Sequence, residues 1–561
     1  MSEKENDMKL YWCGECNIPV YKTTCPLCLS KTNYFAMDAR PVFPEEVTLL
    51  EILLHKKGQL QGRSIWNTKG NRYYADGNLL KEFSVQEIIR EWDPDQVHRL
   101  FLEEKNNGFD YDSFDSMVAK FILANKKRLQ KLEYDSFEFI KMASEKYEKR
   151  INMVSFSGGK DSTVVSCLVR RALGAADILH IFGNTTLEFP TTYEYLELFQ
   201  KYNRRVPFFK PKSDRNFFEL SETIGPPSRV MRWCCTVFKT GPIADIIDKL
   251  SVDELGKDGI KNDNKILTFY GIRRSESTQR SKYDAISKSP KIAKQIVASP
   301  IIDWIDADVW LYLLSHDEAF NHAYRLGFSR VGCLVCPNNS DWAYFLNRVH
   351  FPEQSTKWRD FLVSFASKIG KLDAEEYIDS GNWKARQGGN GMEVGFSTVK
   401  FEPCATETNA RNYTLTRPIT KNLYEYFKPY GNLDFERGRT LLGEVYVWAR
   451  KDKKREKPLL RLQGKIGQNH LKIIIDPKVF HKEYPRKSLL LLENWIDCQL
   501  RKYQACIACG GCPAICKMKA ITVIDEQYRI DSYKCIGCME CIAHYDKGCL
   551  VTKVTQTRGL I

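Results

Sequence analysis

The sequence predicts an α/β protein on a doubly wound parallel sheet, flanked by cysteine-rich modules. Three observations support this. From residue 151 to about residue 346, short apolar runs alternate with segments of helical periodicity. A glycine loop joins the first of these runs to its helix. Outside this region, cysteines gather into close CxxC sets at both ends of the chain. Sheets of this kind have right-handed crossovers and bind ligands beyond the carboxyl ends of their strands.

The first strand, residues 151–156, leads into Ser157-Gly158-Gly159-Lys160-Asp161-Ser162-Thr163, and Val164, Val165, Leu168 and Val169 follow at helical spacing. Two glycines let the backbone approach a phosphate, and the loop amides with the helix N-terminus supply positive potential. Lys160 adds a point charge, Asp161 can hold Mg²⁺, and Ser157 and Ser162 offer hydroxyls. The spacing is not that of a Walker A loop. Further strands are expected at 177–182, 206–210, 266–270 and 296–301, with a helix over 191–204. The 184–191 loop, carrying Thr185 and Glu188, belongs at the same sheet edge as the glycine loop. Gly271-Ile272-Arg273-Arg274 with Arg280 follows a strand end and suits a phosphate or sulfate; a surface salt-bridge cluster is the alternative.

At 561 residues the chain has room for three or more domains. Its composition, 43% hydrophobic and 27% charged, is ordinary for a soluble protein. No apolar run is long enough to cross a membrane, and the polar start does not read as a signal peptide. The chain has nineteen cysteines, and the grouping of most of them into close sets then points to metal and iron–sulfur ligands in a reducing, cytoplasmic setting. The formal charge of +14 falls to about +6 if four four-thiolate sites each carry about −2. The remainder suits a phosphorylated nucleotide, an acidic electron donor or nucleic acid. The basic run 450–457 contains two acids and no aromatic, and reads as a solvated loop rather than a nucleic-acid patch.

Along the chain, residues 1–40 carry Cys13, Cys16, Cys25 and Cys28, whose spacing fits a small zinc ribbon folded by its metal. Residues 41–95 form an α+β module. Its Trp66, Tyr73 and Tyr74, with Lys69 and Arg72, suit either a hairpin core, which is favoured, or stacking on a nucleobase. Residues 96–150 are a charged helical linker and 151–350 the sheet domain. Residues 351–500 form a β-rich module of unassigned role, with Gln387-Gly388-Gly389-Asn390-Gly391 as a flexible boundary or lid. Residues 501–561 contain Cys506-x-x-Cys509-x-x-Cys512-x-x-x-Cys516 and then Cys535-x-x-Cys538-x-x-Cys541 with Cys549, which resemble the two runs of a bacterial two-[4Fe–4S] ferredoxin. Because the fourth cysteine of each run ligates the other cluster in such proteins, the resemblance implies Cys506, Cys509, Cys512 and Cys549 around one cluster, and Cys535, Cys538, Cys541 and Cys516 around the other. Pro513 follows the third cysteine rather than the fourth, and Cys549 lies unusually far from Cys541.

The glycine loop resembles the PP-loop of ATP pyrophosphatases, of the adenine nucleotide α-hydrolase-like fold, a superfamily that also contains the phosphoadenosine-phosphosulfate (PAPS) reductases. Residues 184–190 resemble the adenosine loop of that family, and Gly271 to Ser277 with Arg280 its anion-binding turn. Cys234-Cys235 with Cys333-x-x-Cys336 resembles the [4Fe–4S] ligand set of adenylyl-sulfate reductases, with Lys239 placing a cation near cluster or substrate. Two departures matter. Reductases usually carry an altered glycine loop, whereas Ser-Gly-Gly-Lys-Asp-Ser is intact here. The mobile C-terminal Glu-Cys-Gly-(Leu/Ile)-His nucleophile is absent. Of the cysteines outside these ligand sets, Cys167 and Cys498 fit a core, and Cys404 is the best-placed thiol nucleophile.

The resemblance implies an iron–sulfur oxidoreductase of sulfur metabolism. It would bind PAPS or adenylyl sulfate at the loop and draw electrons from an external low-potential donor through its own ferredoxin module. The alternative is an adenylating sulfurtransferase that uses ATP with Mg²⁺ on a nucleic acid or small molecule. A non-catalytic redox or nucleotide-sensing adaptor is the third class.

Overall fold

A computed structural model describes residues 9–148, 150–252, 266–278, 280–289, 292, 295–385, 399–451, 454–524, 527–545 and 548–555. The expected glycine-rich lid at 387–391 lies outside them. The chain divides into two compact units: 1–211 with 250–289 and 294–360, and 212–249 with 290–293 and 361–561. Among the described residues no helix is long and apolar enough to cross a membrane.

The first unit begins with strands β1 (Leu10–Cys13), β2 (Ile18–Val20) and β3 (Asn33–Ala36), which form an antiparallel sheet in the order β2-β1-β3. A second antiparallel sheet joins β4 (Ala39–Pro41), β5 (Ile65–Thr68), β6 (Arg72–Ala75) and β7 (Asn78–Leu79). Between β4 and β5 runs the helix Pro44–Leu53, buried along nearly all its faces, three glutamates included. Each glutamate is satisfied, as burial demands. Glu46 takes two bonds from Arg40 at 2.6 Å and one from the Tyr73 hydroxyl at 2.7 Å. Tyr111 donates to Glu45, and Glu51 accepts the N–H groups of Gly58, Leu60 and Gln61. Trp66 and Tyr73 are wholly buried and Tyr74 packs on Phe35. They build the hairpin core, and the nucleobase-stacking alternative falls away because neither buried ring has a free face.

The central sheet holds β8 (Ile151–Ser155), β9 (Leu179–Ile181), β10 (Phe208–Phe209), β11 (Ile266–Phe269), β12 (Ile286–Lys288) and β13 (Gln295–Ala298), in the order β10-β9-β8-β11-β13-β12. Five strands are parallel. The expectation of a parallel sheet needs one correction, because β12 pairs antiparallel with β13. The order reverses between β8 and β11, and the glycine loop leaves β8 at this switch point, where open sheets bind ligands.

Beneath the sheet, His180 is buried with Nδ1 on the Ile178 carbonyl and Nε2 on the Ser166 hydroxyl, each at 2.8 Å. Burial pushes its pKa down to about 4. Protonation then favours the unfolded chain, so stability present above about pH 6.5 is lost as pH falls toward 4, by about 3 kcal/mol from this residue alone. Denaturant melts of His180→Gln against the parent over this range should show a flatter acid limb in the variant.

The second unit is organised on an antiparallel sheet in the order β14-β15-β19-β18-β17-β16. Its strands are β14 (Lys400–Pro403), β15 (Ala410–Thr414), β16 (Gly431–Asp434), β17 (Glu444–Ala449), β18 (Leu460–Gln463) and β19 (His470–Ile475). The helix Leu489–Ala505 contributes Leu492, Ile496, Leu500 and Tyr503 to the same core, which continues into the hairpin β20 (Ile521–Ile524) and β21 (Gln527–Ile530). The helices Phe217–Ile224 and Gly241–Val252, with the π-helical turn Cys235–Thr240 between them, also pack in this unit. A Cβ on Gly241 would stand 3.0 Å from Ala514, and Lys519 pairs with Asp245 at 2.8 Å.

Candidate active site

The glycine loop is tied down by hydroxyls. Gly158 adopts φ +72°, and a Cβ there would meet Thr192 at 2.9 Å, so the position needs glycine. Gly159 caps the helix Lys160–Leu173. The Ser162 hydroxyl donates to the Gly159 carbonyl at 2.8 Å and accepts the Ser157 N–H at 3.1 Å. Ser157 Oγ accepts the Gly159 N–H, and the Tyr324 hydroxyl accepts the Lys160 N–H at 3.0 Å. The result is an ordered turn at a helix N-terminus, where anions are favoured.

A charge network closes over it. Lys160 Nζ lies 3.1 Å from Asp306 and 3.3 Å from Asp161, and Arg273 bridges Asp161 at 2.6 Å and Asp306 at 2.8 Å. Burial opposes both cations, but Asp161 and Asp306 outweigh it and hold their pKa values above the ordinary range. Asp306 is half-buried, which raises its pKa, and Lys160 and Arg273 nevertheless keep it low. Arg280 pairs with Glu276; burial and the neighbouring Arg330 weaken its hold on a proton. Lys160, Arg273, Arg280 and Arg330 therefore gather about Asp161, Asp306 and Glu276, four cations against three carboxylates, and the guanidinium and ammonium donors suit a phosphate or sulfate.

Gly271 acts in packing. Its Cβ would stand 2.8 Å from the Asp161 backbone carbon, so β11 and the loop helix approach closely only because the side chain is missing. Gly271→Ala should displace the first helical turn, destabilise the protein by about 1–3 kcal/mol in denaturant melts, and weaken nucleotide binding in the same preparation.

The 184–191 loop is drawn together by Glu188, whose Oε1 accepts the Thr185 N–H and hydroxyl at 3.2 and 2.6 Å and whose Oε2 accepts the Tyr193 hydroxyl at 3.0 Å. Thr185 and Glu188 thus brace each other. Glu188 also bridges to Cys333 as an isolated β-pair, the Leu334 N–H donates to the Leu187 carbonyl at 2.8 Å, and Thr185 Oγ1 lies 3.4 Å from Cys333 Sγ. The turn Cys333–Cys336 is therefore fastened to this loop within the first unit. Cys234, Cys235 and the exposed Lys239 belong to the second unit.

Cys13, Cys16, Cys25 and Cys28 place their Sγ atoms all within 4.8 Å of one another. Four thiols at this separation fit one tetrahedral ion such as Zn²⁺. In the second unit the remaining ligand candidates form two groups. Cys506 and Cys549 act electrostatically on Cys509 and Cys512, while Cys516, Cys535 and Cys538 act on Cys541. Left-handed residues Ala508, Gly510, Gly537 and Met539 turn the backbone around the sulfurs. Arg450 donates to Cys535 Sγ at 3.3 Å and the Ala520 N–H to Cys516 Sγ at 3.3 Å. Both donors reach the group of Cys516, Cys535, Cys538 and Cys541, and hydrogen bonds aimed at sulfur are the kind that ligating thiolates accept. Between the groups stands Lys502, 1% exposed, which donates to the Cys541 carbonyl at 2.6 Å and is held protonated, against its burial, by Cys512, Cys541 and Cys549. Cys404, in the second unit, is drawn down to about 7 by hydrogen bonds from Thr406. Cys167 and Cys498 are buried.

Sequence reasoning missed Asp306, Asp38, Tyr324, Arg330 and Lys502. No local pattern singles out Tyr324 or Arg330.

Residues 151–339 match the family model described as the phosphoadenosine phosphosulfate reductase domain. Two uncharacterised proteins of Methanocaldococcus jannaschii are 32% identical over 289 and 273 residues. These alignments cover 51% and 48% of this chain and 57% and 61% of theirs, so the chain spans less than two thirds of either relative. The adenosine 5'-phosphosulfate reductase of Staphylococcus epidermidis is 24% identical over 203 residues, 36% of this chain and 76% of that one. Among solved structures, a PAPS reductase from Candida auris in complex with phosphate aligns at 17% identity and a TM-score of 0.27, covering 35% of this chain and 87% of that one.

Proposed function

We propose that this protein is an iron–sulfur oxidoreductase of sulfur metabolism that binds an adenylylated sulfur species, PAPS or adenylyl sulfate, at the glycine loop. The observation that carries the reading is the convergence of Lys160, Arg273, Arg280 and Arg330 on that loop, inside a region matching the PAPS reductase domain. The loop amides and Lys160 hold the phosphate, Arg273 and Arg280 the sulfo group, and the loop of Thr185 and Glu188 the adenosine. Reduction breaks the S–O bond to the nucleotide: sulfur takes two electrons and leaves as sulfite, and the bridging oxygen stays on the phosphate with its electron pair. Lys160 and Arg273 stabilise the charge that develops there. Iron–sulfur clusters on the two C-terminal cysteine groups, when bound, supply the two electrons one at a time, and an external low-potential donor replenishes them. Cys234, Cys235, Cys333 and Cys336 are the candidate ligands of a third cluster and Lys239 a candidate cation; the N-terminal four cysteines hold zinc.

The test is anaerobic turnover of the reconstituted protein with a low-potential donor and, separately, PAPS, adenylyl sulfate and ATP. Sulfite with AMP or adenosine bisphosphate is expected from one sulfonucleotide. The intact Ser157 to Ser162 sequence favours a second reading, an adenylating sulfurtransferase in which Asp161 holds Mg²⁺ and Cys404 carries sulfur; pyrophosphate from ATP without any sulfite would replace the first reading with this one.

A further inference from the structure

The glycine-loop cations are set by Asp306, and Asp306 is set from the N-terminal ribbon. Asp306 opens the helix Asp306–Ser315. Its N–H and that of Ala307 both donate to Asp38, at 3.1 Å each. Asp38 follows β3 by two residues and is 6% exposed. Two residues further, in the same turn, Asp308 is wholly buried and receives the Tyr21 hydroxyl at 2.7 Å and two bonds from Arg128 at 3.0 Å. Tyr21 follows β2, between Cys16 and Cys25. Two side chains from the four-cysteine ribbon therefore grip the first turn of the helix whose leading carboxylate holds Lys160 and Arg273.

We propose that Asp38 and Tyr21 are positioning residues through which the four-cysteine ribbon fixes Asp306, and with it Lys160 and Arg273, so that metal in the ribbon and an anionic nucleotide at the loop bind cooperatively. This rests on the loop being a nucleotide site. Tyr21 lies in the link between the two cysteine pairs and Asp38 just past β3, so an ion held by all four thiols fixes where both side chains sit. Losing the ion frees Tyr21 and Asp38, and the helix N-terminus loses two of its anchors. Linkage then requires the converse: bound nucleotide holds the ion in place by the same factor.

The experiment uses the full-length protein loaded with Zn²⁺. Affinity for ATP, PAPS and adenylyl sulfate is measured by calorimetry, and Zn²⁺ release to a chromophoric chelator is timed with and without the tightest of them. In the parent, nucleotide should slow release about tenfold. Asp38→Asn and Tyr21→Phe should still bind Zn²⁺, bind nucleotide about tenfold more weakly, and release Zn²⁺ at a rate indifferent to nucleotide. A double-mutant cycle of Tyr21→Phe with Asp308→Asn in denaturant melts, without nucleotide, should show coupling between the two positions. Nucleotide affinity and Zn²⁺ release unchanged in both variants, or zero coupling in the cycle, would overturn the inference while leaving the site reading intact. Coupling in the cycle with no nucleotide bound by the parent would sink the site reading and leave the positioning role standing.

Discussion

Arg273→Met is expected to abolish measurable nucleotide binding and to lower stability by about 3–5 kcal/mol, the cost of removing one partner from a buried ion-pair network. Arg273 is 4% exposed and is shared by Asp161 and Asp306, so its loss leaves two carboxylates with one direct ion-pair partner, Lys160, among the described residues. A carboxylate without its partner in such a setting takes up a proton or draws in water, and either change alters the loop. Asp306→Asn in the same chain removes the excess negative charge and should recover part of the stability without recovering binding. Denaturant melts and calorimetry separate the two effects. Stability unchanged in Arg273→Met would mean that the network contributes nothing to the fold. Lys160→Met should repeat the loss of binding, because its ammonium is the loop's own cation.

Lys502→Met is the second large effect. A buried ammonium beside two groups of thiols offsets the negative charge that either cluster carries. At an effective dielectric near 20 and a separation of roughly 7 Å, one charge contributes about 2.4 kcal/mol, or ~100 mV for a one-electron couple. The variant should assemble with both C-terminal reduction potentials moved to more negative values, whereas Lys502→Arg should leave them close to the parent. Redox titration followed by electron paramagnetic resonance reads both. Potentials unmoved in Lys502→Met would show that solvent or the backbone amides, rather than this lysine, balance the charge.

Much of the architecture was legible in the sequence because it rests on local patterns. The strand, glycine loop and helix at 151–169 announce themselves by a change of hydrophobic period at a pair of glycines, and β17, β18 and β19 by short runs rich in β-branched and apolar residues with partial alternation. β12 was not legible: three residues, Ile286 to Lys288, two of them exposed, carry no periodic signal, and only the antiparallel pairing with β13 makes them a strand. Trp66 and Tyr73 favour a hairpin core but leave a stacking platform open, since an aromatic hairpin face looks the same whether water or a packed helix covers it. Lys502, flanked by Arg501 and Tyr503, looks like an ordinary solvated helix position; its burial arises from cysteines that are neighbours only in space. Asp38 and Asp306 lie far apart in sequence, and nothing local marks a carboxylate as the cap of a distant helix.

The most direct test of the account is a single turnover. The reconstituted protein is reduced anaerobically, freed of donor, and mixed with adenylyl sulfate or PAPS in the absence of any thiol. The account predicts a burst of sulfite stoichiometric with protein, with the reduced iron–sulfur spectrum lost in the same phase, and no burst from Arg273→Met. Sulfite that appears only when an external thiol is added, with the spectrum of the reduced protein unchanged, would contradict it.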